Sequence, residues 1–127
     1  MSDPALGLLM LGLMVVVLWL LLRLFDAREG RGAGPVLVYY HGGGFVIGNL
    51  DTHDSTCRRL ANRSRCQVIA IDYRLAPEHP FPAPIDDGVA AFRHIRDNAE
   101  KFGADATRIA VGGDSAGGAI AAVVCQI

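Results

Sequence analysis

Apolar positions fall into five groups along the chain: one long run, three short runs and one stripe at helical spacing. Residues Ala5 to Leu22 are uninterruptedly apolar, "ALGLLMLGLMVVVLWLLL". At a helical rise of about 1.5 Å per residue the run spans roughly 27 Å, close to the hydrocarbon thickness of a bilayer. Leu24 and Phe25 extend it past Arg23, whose long side chain can reach the headgroups, and Trp19 stands where an interfacial aromatic is expected. The reading is a single-pass transmembrane helix over residues 1–25. A cleaved signal peptide fits less well, because "MSDP" carries no basic residue and the run is long. A buried core helix fits less well too, since few are apolar on every face. Arg23, Arg28 and Arg31 follow the span and none precedes it, which places the C-terminal part in the cytoplasm. Residues 26–34, "DAREGRGAG", read as a flexible linker.

Beyond the linker the period changes. Pro35 to Tyr40 ("PVLVYY"), Gln67 to Tyr73 ("QVIAIDY") and Arg108 to Gly113 ("RIAVGG") are short apolar runs, predicted as strands buried on both faces. A helix is expected from about Asp51 to Ser64, with Asp51 or Thr52 as its cap. Ile85, Val89, Phe92, Ile95, Ala99 and Phe102 recur at steps of three and four, which predicts one helix over Ala83 to Phe102, closed by Gly103. Strand and helix in alternation give an α/β domain over residues 35–127, a parallel sheet with helices on its faces. Functional loops in such sheets sit at the carboxyl ends of the strands.

Composition narrows the partners. The 127 residues carry a formal charge of −1 and no basic run, so no nucleic-acid footprint is present. The three cysteines, Cys57, Cys66 and Cys125, form no C-x-x-C or Cys/His cluster, so neither a disulfide framework nor a metal site is expected, and no cofactor is implied. The four histidines, His41, His53, His79 and His94, are scattered.

The loops carry the chemistry. Gly113-Asp114-Ser115-Ala116-Gly117 fits G-x-S-x-G between a strand and a helix. That turn holds its serine in a strained backbone conformation, and the residues two before and two after it must be small because they approach each other. The serine oxygen then stands clear of the sheet, and the Ala116 N–H points where an oxyanion would form. A plain helix cap by Ser115 is the competing reading of the pentapeptide alone. His41-Gly42-Gly43-Gly44 follows the first strand. Three glycines in a row suit a backbone that approaches a ligand closely, and this loop type forms the other half of an oxyanion hole. A merely flexible turn is the alternative, and no phosphate-binding glycine pattern matches.

Together "HGGGFVIGNLDTHD", "DYRLAPEHPFPAP" and "GDSAGG" resemble the hormone-sensitive-lipase family of α/β-hydrolases, bacterial carboxylesterases included, from about Pro35 onward. The resemblance implies hydrolysis of small-molecule carboxylic esters, with Ser115 as nucleophile and Gly43, Gly44 and Ala116 as oxyanion hole. His41, Gly42, Gly113, Asp114 and Gly117 would support that machinery. Arg74 and Glu78 would form a charged or hydrogen-bonded brace behind the glycine loop. Two departures stand against it. The triad order in this fold is Ser, then Asp or Glu, then His, yet the twelve residues after Ser115 contain none of these. The strands and cap helices that normally precede the glycine loop are also missing. The expectation is a partial hydrolase domain recorded as a fragment. A catalytically inactive, membrane-anchored remnant that binds another protein is the alternative.

Overall fold

The computed structural model describes residues 22–28, 30 and 32–127. Its elements are β1 (Leu22–Phe25), β2 (Gly34–Tyr40), α1 (Asp54–Ser64), β3 (Gln67–Ile71), α2 (Ala83–Asp97), a 3₁₀ turn (Ala99–Phe102), β4 (Ala104–Gly113) and α3 (Ala116–Val124). The sheet runs β1-β3-β2-β4. β2 pairs in parallel with both β3 and β4, with Tyr40 opposite Ile71 on one side and Gly113 on the other. Those three strands therefore end together at one rim.

Side-chain alternation along β2 builds both layers. Val36, Val38 and Tyr40 face one way, against Ile95, Ala91, Ile120 and Val124 of α2 and α3. Leu37 and Tyr39 face the other, with Cys57 and Ala61 of α1 and with Val68 and Ala70. β3 is buried throughout, as its unbroken apolar run requires. Burial of this kind stabilises by about 1.5–3 kcal/mol per large apolar side chain. Buried polar groups are tied down: the Tyr40 hydroxyl donates to the Gly88 carbonyl at 2.8 Å, and Gln67 Nε2 to the Phe102 carbonyl at 2.7 Å.

The main correction concerns the N-terminal apolar run. Residues 1–21 lie outside the described residues. Its last four residues are β1, not the end of a membrane helix. They pair antiparallel with β3, Leu22 opposite Ile71 and Phe25 opposite Val68, and Phe25 is buried. Arg23 does not reach toward headgroups; it binds Asp51 at 2.7 Å and Asp54 at 3.1 Å at the head of α1. The physical reason is that β3 offers an unpaired edge on a strand buried on both faces, and the alternating L-R-L-F satisfies it. Among the described residues no helix is long and apolar enough to cross a membrane. The 26–34 linker is also shorter than expected. Gly34 opens β2, and Arg28, with a side chain 5% exposed, binds Asp26 and donates to the Gly103 carbonyl at 3.2 Å.

Two helix boundaries differ. α1 starts at Asp54 because Asn49 Oδ1 takes the N–H groups of Asp51 and Thr52, holding them in a turn. The stripe read as one helix to Phe102 stops at Asp97. Asn98 folds its side chain back onto the His94 carbonyl at 2.9 Å, and the last turn tightens to 3₁₀ before Gly103.

Candidate active site

Three loops meet at the rim where β2, β3 and β4 end. The β4–α3 turn is the sharpest. Ser115 has φ 49° and ψ −117°, a region that L-residues enter only when their surroundings force it. The forcing is visible at its neighbours. A Cβ on Gly113 would lie 2.2 Å from the Tyr40 carbonyl oxygen and 2.6 Å from the Gly117 carbonyl carbon. A Cβ on Gly117 would lie 1.9 Å from the same Tyr40 oxygen. The turn is wedged against the end of β2, so Ser115 is exposed while Ala116 is buried beneath it.

The glycine loop leaves the same end of β2 and lies beside that turn. The Gly42 N–H donates to Asp114 Oδ1 at 3.0 Å, and a Cβ on Gly42 would lie 3.0 Å from the Asp114 carbonyl oxygen. With the Gly42 N–H committed there, Gly43 and Gly44 are the loop's candidate donors. Gly43 has φ 128°, and its carbonyl accepts from the N–H groups of Val46 and Ile47 at 3.1 and 3.0 Å. Phe45 passes the third loop a backbone bond, its carbonyl accepting from the Ala76 N–H at 2.8 Å. The "HGGG", "YRLAPE" and "GDSAGG" segments thus form one connected surface around Ser115.

Comparison with known proteins settles what this arrangement belongs to. A family model described as alpha/beta hydrolase fold, Abhydrolase_3, matches residues 37–127. The chain belongs to this family. Similar curated relatives include Esterase LipI of Mycobacterium tuberculosis, 59% identical over 96 residues, or 76% of this chain and 30% of LipI. Human arylacetamide deacetylase-like 3 is 50% identical over 92 residues, covering 72% of this chain and 23% of the relative. Among solved structures, an ester-hydrolase from the Lake Arreo metagenome is 79% identical with a TM-score of 0.81, covering 83% of this chain and 34% of that one. A hyperthermophilic esterase of the archaeon Pyrobaculum calidifontis is 52% identical with a TM-score of 0.79, covering 83% and 33%. The chain therefore spans between about a quarter and a third of the length of these relatives. It is a portion of the hydrolase fold of carboxylesterases of the hormone-sensitive-lipase type.

Within that hydrolase fold the remaining named residues find places. His41 is 2% exposed, and its ring stacks on Tyr73 at 4.3 Å. Its Nδ1 donates to the Gly42 carbonyl at 2.7 Å, and its own carbonyl accepts from the Tyr73 hydroxyl. It is a buried brace of the loop. Burial pushes the Tyr73 hydroxyl up to about 12, so it stays a donor. The expected Arg74–Glu78 pairing is corrected. Arg74 binds Asp87, its Nη2 at 2.8 Å from Oδ1 and its backbone N–H at 2.8 Å from Oδ2, while Glu78 is exposed on the loop. Asp87 sits thirteen residues downstream on α2, a separation with no local spacing signal. Among the described residues no group of three His, Cys, Asp or Glu side chains is placed to hold a metal ion.

Sequence reasoning named Asp114 only as part of the motif and gave Tyr39 and His53 no role in the site. The Tyr39 hydroxyl donates to Asp114 Oδ1 at 2.7 Å, and His53 Nε2 stands 3.4 Å from the same oxygen. Burial alone would raise the Asp114 carboxyl, but the bonds from Tyr39 and Gly42 and the nearby His53 outweigh it, so it titrates below the usual carboxylate range. A lowered folded value means that its contribution to stability is present above the unfolded value, about 3.9, and is lost as pH falls through the folded one. Urea denaturation from pH 6 to pH 2 is expected to show this. The Asp114→Asn chain should lose less stability on acidification than the parent, and parallel curves would exclude it.

Proposed function

We propose that Ser115 is the nucleophile of a carboxylic ester hydrolase and that the N–H groups of Gly43, Gly44 and Ala116 receive the oxyanion. The carrying observation is the strained Ser115 backbone on a turn bonded directly to the glycine loop. Ser115 Oγ attacks the ester carbonyl carbon and gives its proton to a histidine base. The carbonyl oxygen becomes the oxyanion. The intermediate collapses, the ester C–O bond breaks, and the alcohol leaves with the proton. Water then repeats the sequence on the acyl-serine and releases the acid. These 127 residues place no Asp, Glu or His after Ser115. His41, the histidine of the glycine loop, is buried and bonded to its own loop. The base and its orienting carboxylate are thus assigned to the remainder of the hydrolase domain.

The experiment supplies that remainder. Leu22–Ile127 is grafted in place of the matching segment of the Lake Arreo ester-hydrolase, and hydrolysis of short p-nitrophenyl esters is followed. The graft is expected to turn over, and Ser115→Ala within it to lower kcat by about 10⁴-fold or more. The ungrafted 127-residue chain is expected to show at most the weak catalysis that an oxyanion hole alone provides. Unchanged turnover in the Ser115→Ala graft contradicts the proposal.

A further inference from the structure

Asp114 is where three elements meet on one oxygen. Its Oδ1 takes the Tyr39 hydroxyl from β2 at 2.7 Å and the Gly42 N–H from the glycine loop at 3.0 Å, with His53 Nε2 from the head of α1 at 3.4 Å. His53 is itself fixed, its Nδ1 2.9 Å from Thr52 Oγ1 and its ring 5.4 Å from that of His41. Tyr39 is 6% exposed and has no freedom to swing away. In the Nε2–H tautomer His53 presents a proton to the carboxylate while Nδ1 faces the threonine hydroxyl.

The position of this bond in the chain matters most. Asp114 directly precedes Ser115, and Ala116 directly follows it. Gly42 directly precedes Gly43. The Asp114–Gly42 hydrogen bond therefore joins the two halves of the proposed oxyanion hole one or two residues from each donor. Such donors must be held to within about 0.5 Å of the productive geometry. We infer that Asp114 is the positioning residue of the oxyanion loop and that Tyr39 and His53 lock its carboxylate for that task. The inference rests on the esterase reading above. Asp114 acts through Gly42 and takes no part in bond making.

The test uses the grafted enzyme, four single variants and two double variants. Asp114→Ala leaves the Gly42 N–H without its acceptor, and kcat is expected to fall about 10²-fold with KM within about threefold, since the loss is of transition-state aim. Asp114→Asn keeps an acceptor oxygen and is expected to recover most of that loss. Tyr39→Phe and His53→Ala, which loosen the carboxylate, are expected to lower kcat about three- to tenfold each, and neither is expected to lower it further once Asp114 is Ala, because the groups act as one unit. In the 127-residue chain the Gly42 amide proton is expected to sit downfield in the NMR spectrum and to move upfield in Asp114→Ala. The inference is overturned if Asp114→Ala keeps its kcat, if KM rises instead, if Asn rescues nothing, or if the Tyr39 and Asp114 losses simply add. An inactive parent graft, or one indifferent to Ser115→Ala, instead overturns the esterase reading. The Gly42 signal still decides whether the hydrogen bond exists.

Discussion

Gly117→Ala is expected to unfold this domain or bring it close to unfolding. The added methyl would sit 1.9 Å from the Tyr40 carbonyl oxygen, 2.5 Å from its carbon and 2.7 Å from the His41 carbonyl oxygen. All three are backbone atoms, and Tyr40 lies on the central strand, paired on both sides. No rotamer change relieves the clash, so either the β4–α3 turn or the end of β2 must move. Overpacking of side chains alone typically costs about 1–3 kcal/mol, and a clash with fixed backbone belongs at or above the top of that range. Against a total stability of about 5–15 kcal/mol, that is a large share. Gly118→Ala is the control. Its methyl would meet only the Gly113 carbonyl at 3.4 Å, an ordinary contact, and helix propensity favours alanine by about 1 kcal/mol. Urea denaturation of the two variants should show opposite signs. Equal midpoints would mean that the turn is not wedged as described.

Gly43→Ala is expected to spare much of the fold and damage catalysis. Its φ of 128° is closed to alanine, and a Cβ there would stand 2.0 Å from the Ile47 carbonyl oxygen. The loop must open, and the bonds from Val46 and Ile47 to the Gly43 carbonyl open with it. In the grafted esterase the expected loss is about 10²–10³-fold in kcat, the effect of misplacing one oxyanion donor. Gly44→Ala separates donor placement from crowding. Gly44 also has a positive φ, 63°, but its Cβ would meet nothing within 4 Å. In the proposed esterase, that open side is the one offered to substrate. A milder loss is expected, with KM affected as much as kcat because the methyl enters the open side. Identical kinetics for the two variants would show that the glycines serve only as a flexible turn.

The parts of the site visible in the sequence are those whose residue type is dictated by contact. Gly113 and Gly117 cannot carry a side chain beside Tyr40, and Ser115 must stand between them, so the pentapeptide announces its geometry. Two strands were legible for a similar reason: Val36 and Val38 of β2 and Val68 and Ile69 of β3 are apolar because both faces of the sheet are covered there. β4 was placed as a strand but not buried as expected: it lies at the sheet edge, and Ala110 is exposed. What stayed hidden depended on partners distant in the chain. Apolar content alone does not separate a membrane helix from an edge strand. Leu22–Phe25 became β1 because β3, more than forty residues later, had an edge to fill. Arg74 has an acidic candidate four residues away in Glu78 and uses Asp87 instead. His53 stands near the end of the "HGGGFVIGNLDTHD" motif, but nothing in that motif gives it a partner. Its position opposite Asp114 arises only when α1 packs on the sheet.

One measurement bears most directly on the central role given to the turn between β4 and α3. An alkyl fluorophosphonate offers an activated serine a phosphorus to attack: the Oγ–P bond forms and fluoride leaves. Applied to the grafted enzyme and followed by trypsin and mass spectrometry, it should add the phosphonyl group to the peptide beginning at Ile109, in which Ser115 is the single serine up to Ile127. The adduct is expected to appear as ester hydrolysis disappears and to be absent from Ser115→Ala. An active graft that carries the label on another residue, or loses its activity with that peptide unmodified, would contradict the assignment of Ser115.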